Sequence, residues 1–282
     1  MRRRDFLRYA GTLALGLGLG VAPTVFAKAL NRPPPRPSPI SSANIDDYLA
    51  KMRHFNSPHG DDIFLDADRR RLLDATLERL KRLQRSVGFS NFYLLDFDEA
   101  LAKARGFTAV GAFTRQELEF MEMLFHQDGS RYGFFGEKPI KRLTASIKRE
   151  RVEYVRGTGN FVFKGPALAI YRKMQQDVGE QLILTSGVRG IVKQFILFMN
   201  KASTSGGNLS LASRCLAPPG YSFHGIGDFD VGQAGFGVAN FTDRFAQSTV
   251  FQKLMDLGYV DLRYQLDNLL GVRFEPWHIK VG

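Results

Sequence analysis

The chain reads as an α+β protein, and three observations predict it. Leu72, Leu73, Leu77, Leu80 and Leu83 recur at helical spacing within a basic segment. Gln181-Leu-Ile-Leu-Thr185 is a short apolar run of strand length. Helical and strand-like segments then mix without a βαβ rhythm, which argues against a parallel sheet. With 44% apolar and 24% charged residues over 282 positions, the chain has the composition of a folded globular protein with a real core, and wholesale disorder is excluded.

Residues 42–138 read as mainly helical. Thr114, with Glu117 three residues later, forms a capping box ahead of Leu118, Phe120, Met121 and Leu124. Ser130 to Gly136 is aromatic and punctuated by glycine, so it is expected as a packed loop. From Pro139 the texture changes, and residues 139–282 are taken as a second region. Pro166 to Val178 reads as a helix with proline in its first turn. After the 181–185 strand, Ser186-Gly187 is a turn, and Ile191, Val192, Phe195, Ile196 and Met199 mark a buried helix. Residues 203–220 are rich in Ser, Gly and Pro and are expected as loop. Asp228 to Val231 reads as a strand, Asp243 to Leu257 as a helix and Val272 to Val281 as a final strand.

The N-terminus carries an address. Arg3-Arg4-Asp5-Phe6-Leu7-Arg8 matches the bacterial twin-arginine pattern R-R-x-F-L-K, followed by an apolar stretch too short and weak for a comfortable membrane span. Val25-Phe26-Ala27 offers small residues for signal cleavage after Ala27, with an uncleaved anchor as the alternative. Residues 28–41 contain the polyproline-type spacer Asn31 to Pro39. The expectation is export to the periplasm by the twin-arginine machinery. A single cysteine, Cys215, excludes an internal disulfide, which suits a chain folded before export. Net charge is +11, and about +8 without the first 27 residues, which suits an acidic polymer or surface. Without an arginine-rich recognition helix or stacked aromatic motif, nucleic acid is not expected as a partner. A monomer is expected.

The chemistry sits in the last third. Ser222-Phe-His224-Gly-Ile-Gly227-Asp228-Phe-Asp230 supplies an imidazole and a carboxylate six residues apart, and Glu275-Pro-Trp277-His278 supplies a second imidazole with a carboxylate three residues before it. Two His and one Asp suit zinc with a fourth position left for water. A carboxylate that is not a ligand suits the proton acceptor of such a site. On a flat strand Glu275 and His278 point to opposite faces, so both serve one site only if the strand is kinked, and Pro276 lies between them. Trp277 is expected to pack behind the site. Asp228 and Asp230 share a strand face, one as ligand and the other as supporting group or spectator. Arg189, after Ser186-Gly187, could clamp a carboxylate or a developing oxyanion. Of the remaining histidines, His54 and His126 stand alone, and His59 lies in the polar run Pro58 to Asp62, which a loop explains.

These residues resemble the zinc D-alanyl-D-alanine carboxypeptidase family, the metallopeptidases of cell-wall peptides of LAS type. The family pattern is S-x-H-x-x-G-x-A-x-D, a later E-x-W-H, and an upstream S-G-x-R-S with a following Gln. Ser186, Gly187, Arg189 and Gln194 match the upstream part, Ser222, His224, Gly227 and Asp230 the centre, and Glu275, Trp277 and His278 the end. The resemblance covers about residues 140–282 and implies a small antiparallel sheet flanked by helices. It implies zinc held by His224, Asp230 and His278, Glu275 as general base and then acid, and Arg189 stabilising the tetrahedral intermediate. Ser222, Arg189, Gln194 and Trp277 would line the substrate. There are two departures: His224 to Asp230 is one residue shorter than the family interval, with Asp228 at the family's Ala position, and Gly190 replaces the Ser after the arginine. Asp230 is the expected ligand and Asp228 the alternative.

The function implied is a periplasmic zinc peptidase acting on peptidoglycan stem peptides, most simply a D-alanyl-D-alanine carboxypeptidase. A catalytically degenerate wall-binding protein on the same fold is the alternative. A cysteine-dependent transferase using Cys215 and His224 is a third.

Overall fold

The computed structural model describes Ile40 and residues 44–281. The expected signal segment, and the proline-rich spacer apart from Ile40, lie outside the described residues. The architecture is α+β, with two small antiparallel sheets flanked by helices.

Helix α1 spans Ile45–Arg53, and α2 spans Ala67–Val87. Asp66 caps α2 by accepting the Arg69 N–H at 2.8 Å, and the predicted leucines turn inward, with Leu73, Leu77, Leu80 and Leu83 all buried. The short α3 (Phe89–Phe92) and α4 (Phe97–Gly106) lead to α5 (Arg115–His126). The Thr114–Glu117 capping box forms, and Glu117 also takes the Arg79 guanidinium of α2 at 2.9 Å. The expected loop at 130–136 opens with a 3₁₀ turn, Gly129–Tyr132.

Strands β1 (Val152–Val155) and β2 (Asn160–Phe163) form a hairpin. Helix α6 is Pro166–Val178, β3 is Leu182–Ser186 and α7 is Ile191–Thr204, close to the sequence expectation. Strand β4 (Phe229–Gln233) lies between β3 and β5 (His278–Ile279) in an antiparallel sheet.

Among the described residues two large apolar cores form, beside two smaller clusters. In one, α2 and α5 pack against α7 through Leu80, Met121, Leu124, Phe195, Phe198 and Met199. The early helices therefore share a core with the segment that follows the Arg189 turn. In the other, α6 and α9 (Thr249–Asp256) cover one face of the three-stranded sheet, with Tyr171 edge-on to Phe229 at 5.8 Å.

Three local expectations are corrected. Residues 203–220 are not all loop: Leu209–Cys215 forms helix α8. Asn208 caps it by accepting the Leu211 N–H at 2.8 Å, and Ser210 and Ser213, part of the serine content that suggested a loop, are buried. The expected helix 243–257 is broken into a 3₁₀ turn, Asp243–Gln247, and α9, because Ser248 interrupts it as the cap of the second piece. The final strand shrinks to His278–Ile279. Upstream, the backbone N–H groups of Arg273 and Glu275 bond outside the sheet, to the carbonyls of Arg214 and Tyr264, and Pro276 has no N–H to give.

Candidate metal centre

Strand register builds the site. Ser186 opposes Asp230 across β3–β4, and Asp230 opposes His278 across β4–β5, so one row of the sheet carries all three on one face. The opposite face of β4 places Phe229 and Val231 in the apolar core. The kink required near Pro276 is present as a turn, with the His278 N–H donating to the Glu275 carbonyl at 3.2 Å. It brings Glu275 Oε2 within 3.8 Å of His278 Nδ1.

His224 comes from a 3₁₀ turn, Phe223–Gly225. Its Nδ1 lies 2.7 Å from the Gly187 carbonyl, which accepts the ring N–H and leaves Nε2 facing Asp230 Oδ1 at 3.1 Å. Gly187 is required where it stands, because a Cβ there would lie 1.9 Å from the Phe161 carbonyl oxygen. Gly190, the residue that departs from the family's Ser, donates its N–H to the Tyr93 carbonyl at 2.7 Å, and a Cβ would sit 2.7 Å from that oxygen. The helical N-terminal region thus reaches the Arg189 corner and excludes a side chain there.

One ligand atom from each of His224, Asp230 and His278 lies within 4.8 Å of the others, and all three residues are buried. His224 Nε2 and Asp230 Oδ1 are buried without a hydrogen-bond partner among the described residues. Unsatisfied buried groups are costly, and a cation held between this pair would satisfy both. The donor set fits zinc, with two imidazoles, one carboxylate and outer ring nitrogens already engaged. His54, His59 and His126 are not members of this group.

Asp228 does not share the row. Its Oδ2 meets His278 Nε2 at 2.9 Å, its Oδ1 accepts the Val281 N–H at 3.0 Å, and Arg263 Nε donates to Oδ2 at 2.6 Å. The electrostatics are strongly coupled. Burial pushes both aspartates up, but charged partners overrule it: His224 and Arg189 hold Asp230 well below the usual range, and His278 and Arg263 hold Asp228 at about 2. Burial and the Arg189 charge lower His224. Burial opposes a charge on His278, yet the hydrogen bond to Asp228 and the negative charges of Asp228 and Asp230 push it up to about 9. Burial raises the Glu275 carboxyl, partly offset by Arg273 and His278. A carboxyl raised in this way is suited to exchanging protons near neutrality.

A small cleft opens over these groups, lined by Arg189, Ser222, His224, Tyr264, Glu275 and His278 among others. Arg189 donates to Ser186 Oγ at 2.9 Å and pairs with Asp230. Gln194 also lines the cleft, but its amide is spent on backbone, donating to the Arg189 carbonyl and accepting the Gly220 N–H, both at 2.9 Å. Trp277 is buried behind the sheet, 4.7 Å from the Arg273 guanidinium, and is not among the cleft residues. Sequence reasoning missed Tyr264, whose ring packs edge-on to His278 at 5.0 Å, and Arg263; neither sits in a periodic or motif-bearing stretch. Cys215 is buried, and burial raises its thiol, which disfavours the thiolate a nucleophile needs.

Residues 166–281 match the VanY family model, D-alanyl-D-alanine carboxypeptidase. The match supports a peptidase, and every residue of the row, the His224 turn and the Glu275 turn falls inside it. No curated protein matches the chain. Among solved structures, VanYB in complex with D-alanine-D-alanine is similar at 22% identity and a TM-score of 0.40, covering 54% of this chain and 86% of that one. The LdcB LD-carboxypeptidase, whose structure is described as revealing the basis of peptidoglycan recognition, is similar at 23% identity and a TM-score of 0.37. That alignment covers 46% of this chain and 63% of LdcB, so less than two-thirds of LdcB is spanned.

Proposed function

We propose that the protein is a zinc-dependent D-alanyl-D-alanine carboxypeptidase acting on peptidoglycan stem peptides, exported to the periplasm through the twin-arginine pathway. The observation that carries this reading is the convergence of two unsatisfied buried atoms, His224 Nε2 and Asp230 Oδ1, with His278 Nδ1, beside the separate carboxyl of Glu275. The VanY match supports the reaction class, and Arg3-Arg4 with its following residues supports the route of export.

His224, Asp230 and His278 would hold the cation. When bound, it supplies Lewis acidity that polarises a carbonyl and acidifies water. Glu275 is the group that takes the proton from the attacking water and returns it to the leaving amine. Its buried, raised carboxyl has the affinity for that exchange. Arg189 lines the cleft with Nε and one Nη engaged, and its other Nη makes no hydrogen bond among the described residues, so it can donate to the oxyanion as charge develops. Ser222 lines the same wall as a substrate contact.

The test is mass spectrometry of stem pentapeptides digested with the zinc-loaded mature protein. Loss of one terminal alanine, abolished by chelation and in Glu275→Ala, is the expected result. Full turnover in Glu275→Ala discards the mechanism. Wall binding with neither zinc nor turnover favours the degenerate scaffold.

A further inference from the structure

The aspartate at position 228 stands where the family pattern has Ala, so the pattern gives it no task. The geometry points to one: we propose that Asp228 and Arg263 are a positioning pair that fixes the ring of His278 so that Nδ1 is presented to the cation. This rests on the ligand set proposed above.

Asp228 occupies the outer edge of the His278 ring, with Oδ2 at 2.9 Å from Nε2. That nitrogen faces away from Asp230, which meets Nδ1 on the other side at 3.2 Å. A histidine with one nitrogen held by a carboxylate has its tautomer and its ring angle set before a metal arrives. Asp228 itself accepts three further hydrogen bonds from two partners. Arg263 Nε donates to Oδ2 at 2.6 Å, its Nη2 reaches Oδ1 at 3.3 Å, and the Val281 N–H donates to Oδ1 at 3.0 Å. The Arg263 guanidinium also lies over the Phe223 ring, 3.4 Å from its centroid. Phe223 immediately precedes His224 in the same 3₁₀ turn. One contact chain, from Phe223 through Arg263 and Asp228 to His278, therefore ties together the two distant segments that contribute the imidazoles. The side chain of Asp228 is 1% exposed and that of Arg263 12%, so solvent screens the chain little.

The experiment uses the full chain with Asp228→Ala, Asp228→Asn and Arg263→Ala, zinc affinity being read by competition with a chromophoric chelator and folding by circular dichroism. Asp228→Ala is expected to weaken zinc binding by roughly 10- to 100-fold. Asp228→Asn, whose amide oxygen can still accept from Nε2, should recover part of the loss, and Arg263→Ala should fall between wild type and Asp228→Ala. A second arm needs no metal. Long-range ¹H–¹⁵N correlation of the histidine rings in the zinc-free protein should show the His278 resonances shifting in Asp228→Ala while those of His54 do not. Equal zinc affinity in wild type and a folded Asp228→Ala overturns the proposal, as do unmoved His278 resonances. A wild-type chain that binds no zinc but whose His278 resonances move in Asp228→Ala overturns the metal role while leaving Asp228 as the group that holds the ring. A wild-type chain that binds zinc but cleaves no stem peptide sinks the peptidase reading alone.

Discussion

Asp230 and His278 are directly opposed partners in the β4–β5 pairing, and Oδ1 of one lies 3.2 Å from Nδ1 of the other. Residues 48 positions apart in sequence thus share a face because two short strands are in register. Moving either strand by one residue would send one of the side chains into the apolar core.

Glu275→Gln should lower kcat by about 10²- to 10⁴-fold, the usual worth of a positioned general base. Zinc content, measured by elemental analysis, should stay near wild type, because Glu275 Oε2 approaches His278 without belonging to the ligand group. A parallel loss of zinc would instead mark Glu275 as a ligand.

Zinc should raise the melting temperature of the chain. A cation that binds only the folded state at 100 times its Kd stabilises by about 2.7 kcal/mol. In His224→Ala that increment should shrink sharply. An unchanged melting temperature on adding zinc to the wild type would count against the centre.

The acid limb of the stability curve should depend on Asp62. Burial alone would raise its carboxyl, but hydrogen bonds from Arg214, Asn208 and the His59 N–H outweigh burial and hold it at about 2, against an ordinary 3.8. As pH falls the unfolded chain therefore protonates first. The stabilisation, about 2 kcal/mol, is complete above the ordinary value and drains away between there and about 2. Asp62→Asn should flatten that part of a urea-denaturation series taken against pH. Asp62→Ala should cost more, about 3–5 kcal/mol, because Arg214 is left buried without its partner.

Leu80→Ala should destabilise the fold by about 2–5 kcal/mol, since Leu80 is fully buried between α2 and its neighbours. Trp277, the single tryptophan, reports from the other core. Its fluorescence transition and the far-ultraviolet circular dichroism transition should coincide and shift together in the variant. Separate transitions would show that the helical region and the sheet unfold independently.

Much of the centre was legible because its parts are local. The His224 and Asp230 pair sits within seven residues, and the Glu275, Trp277 and His278 set within four. Residue type, spacing and a proline between two functional groups carried enough information to require a kink, and the turn at Pro276 supplies it. Periodicity likewise located α2 and α7, a capping box located α5, and a proline in the first turn located α6. It failed at α8, which is short and rich in small residues, and at the last strand, where apolar content survives without sheet pairing.

Donor types and their order are properties of neighbouring residues, so the linear chain specified them. Which aspartate faces the imidazoles, which ring nitrogen each histidine presents, and why position 190 must lack a side chain are not local. They follow from β4 register, from the Gly187 and Asp228 acceptors, and from the approach of the Tyr93 carbonyl. Each joins segments tens of residues apart or more, and hydrogen bonds over such separations are set only when the chain has closed on itself.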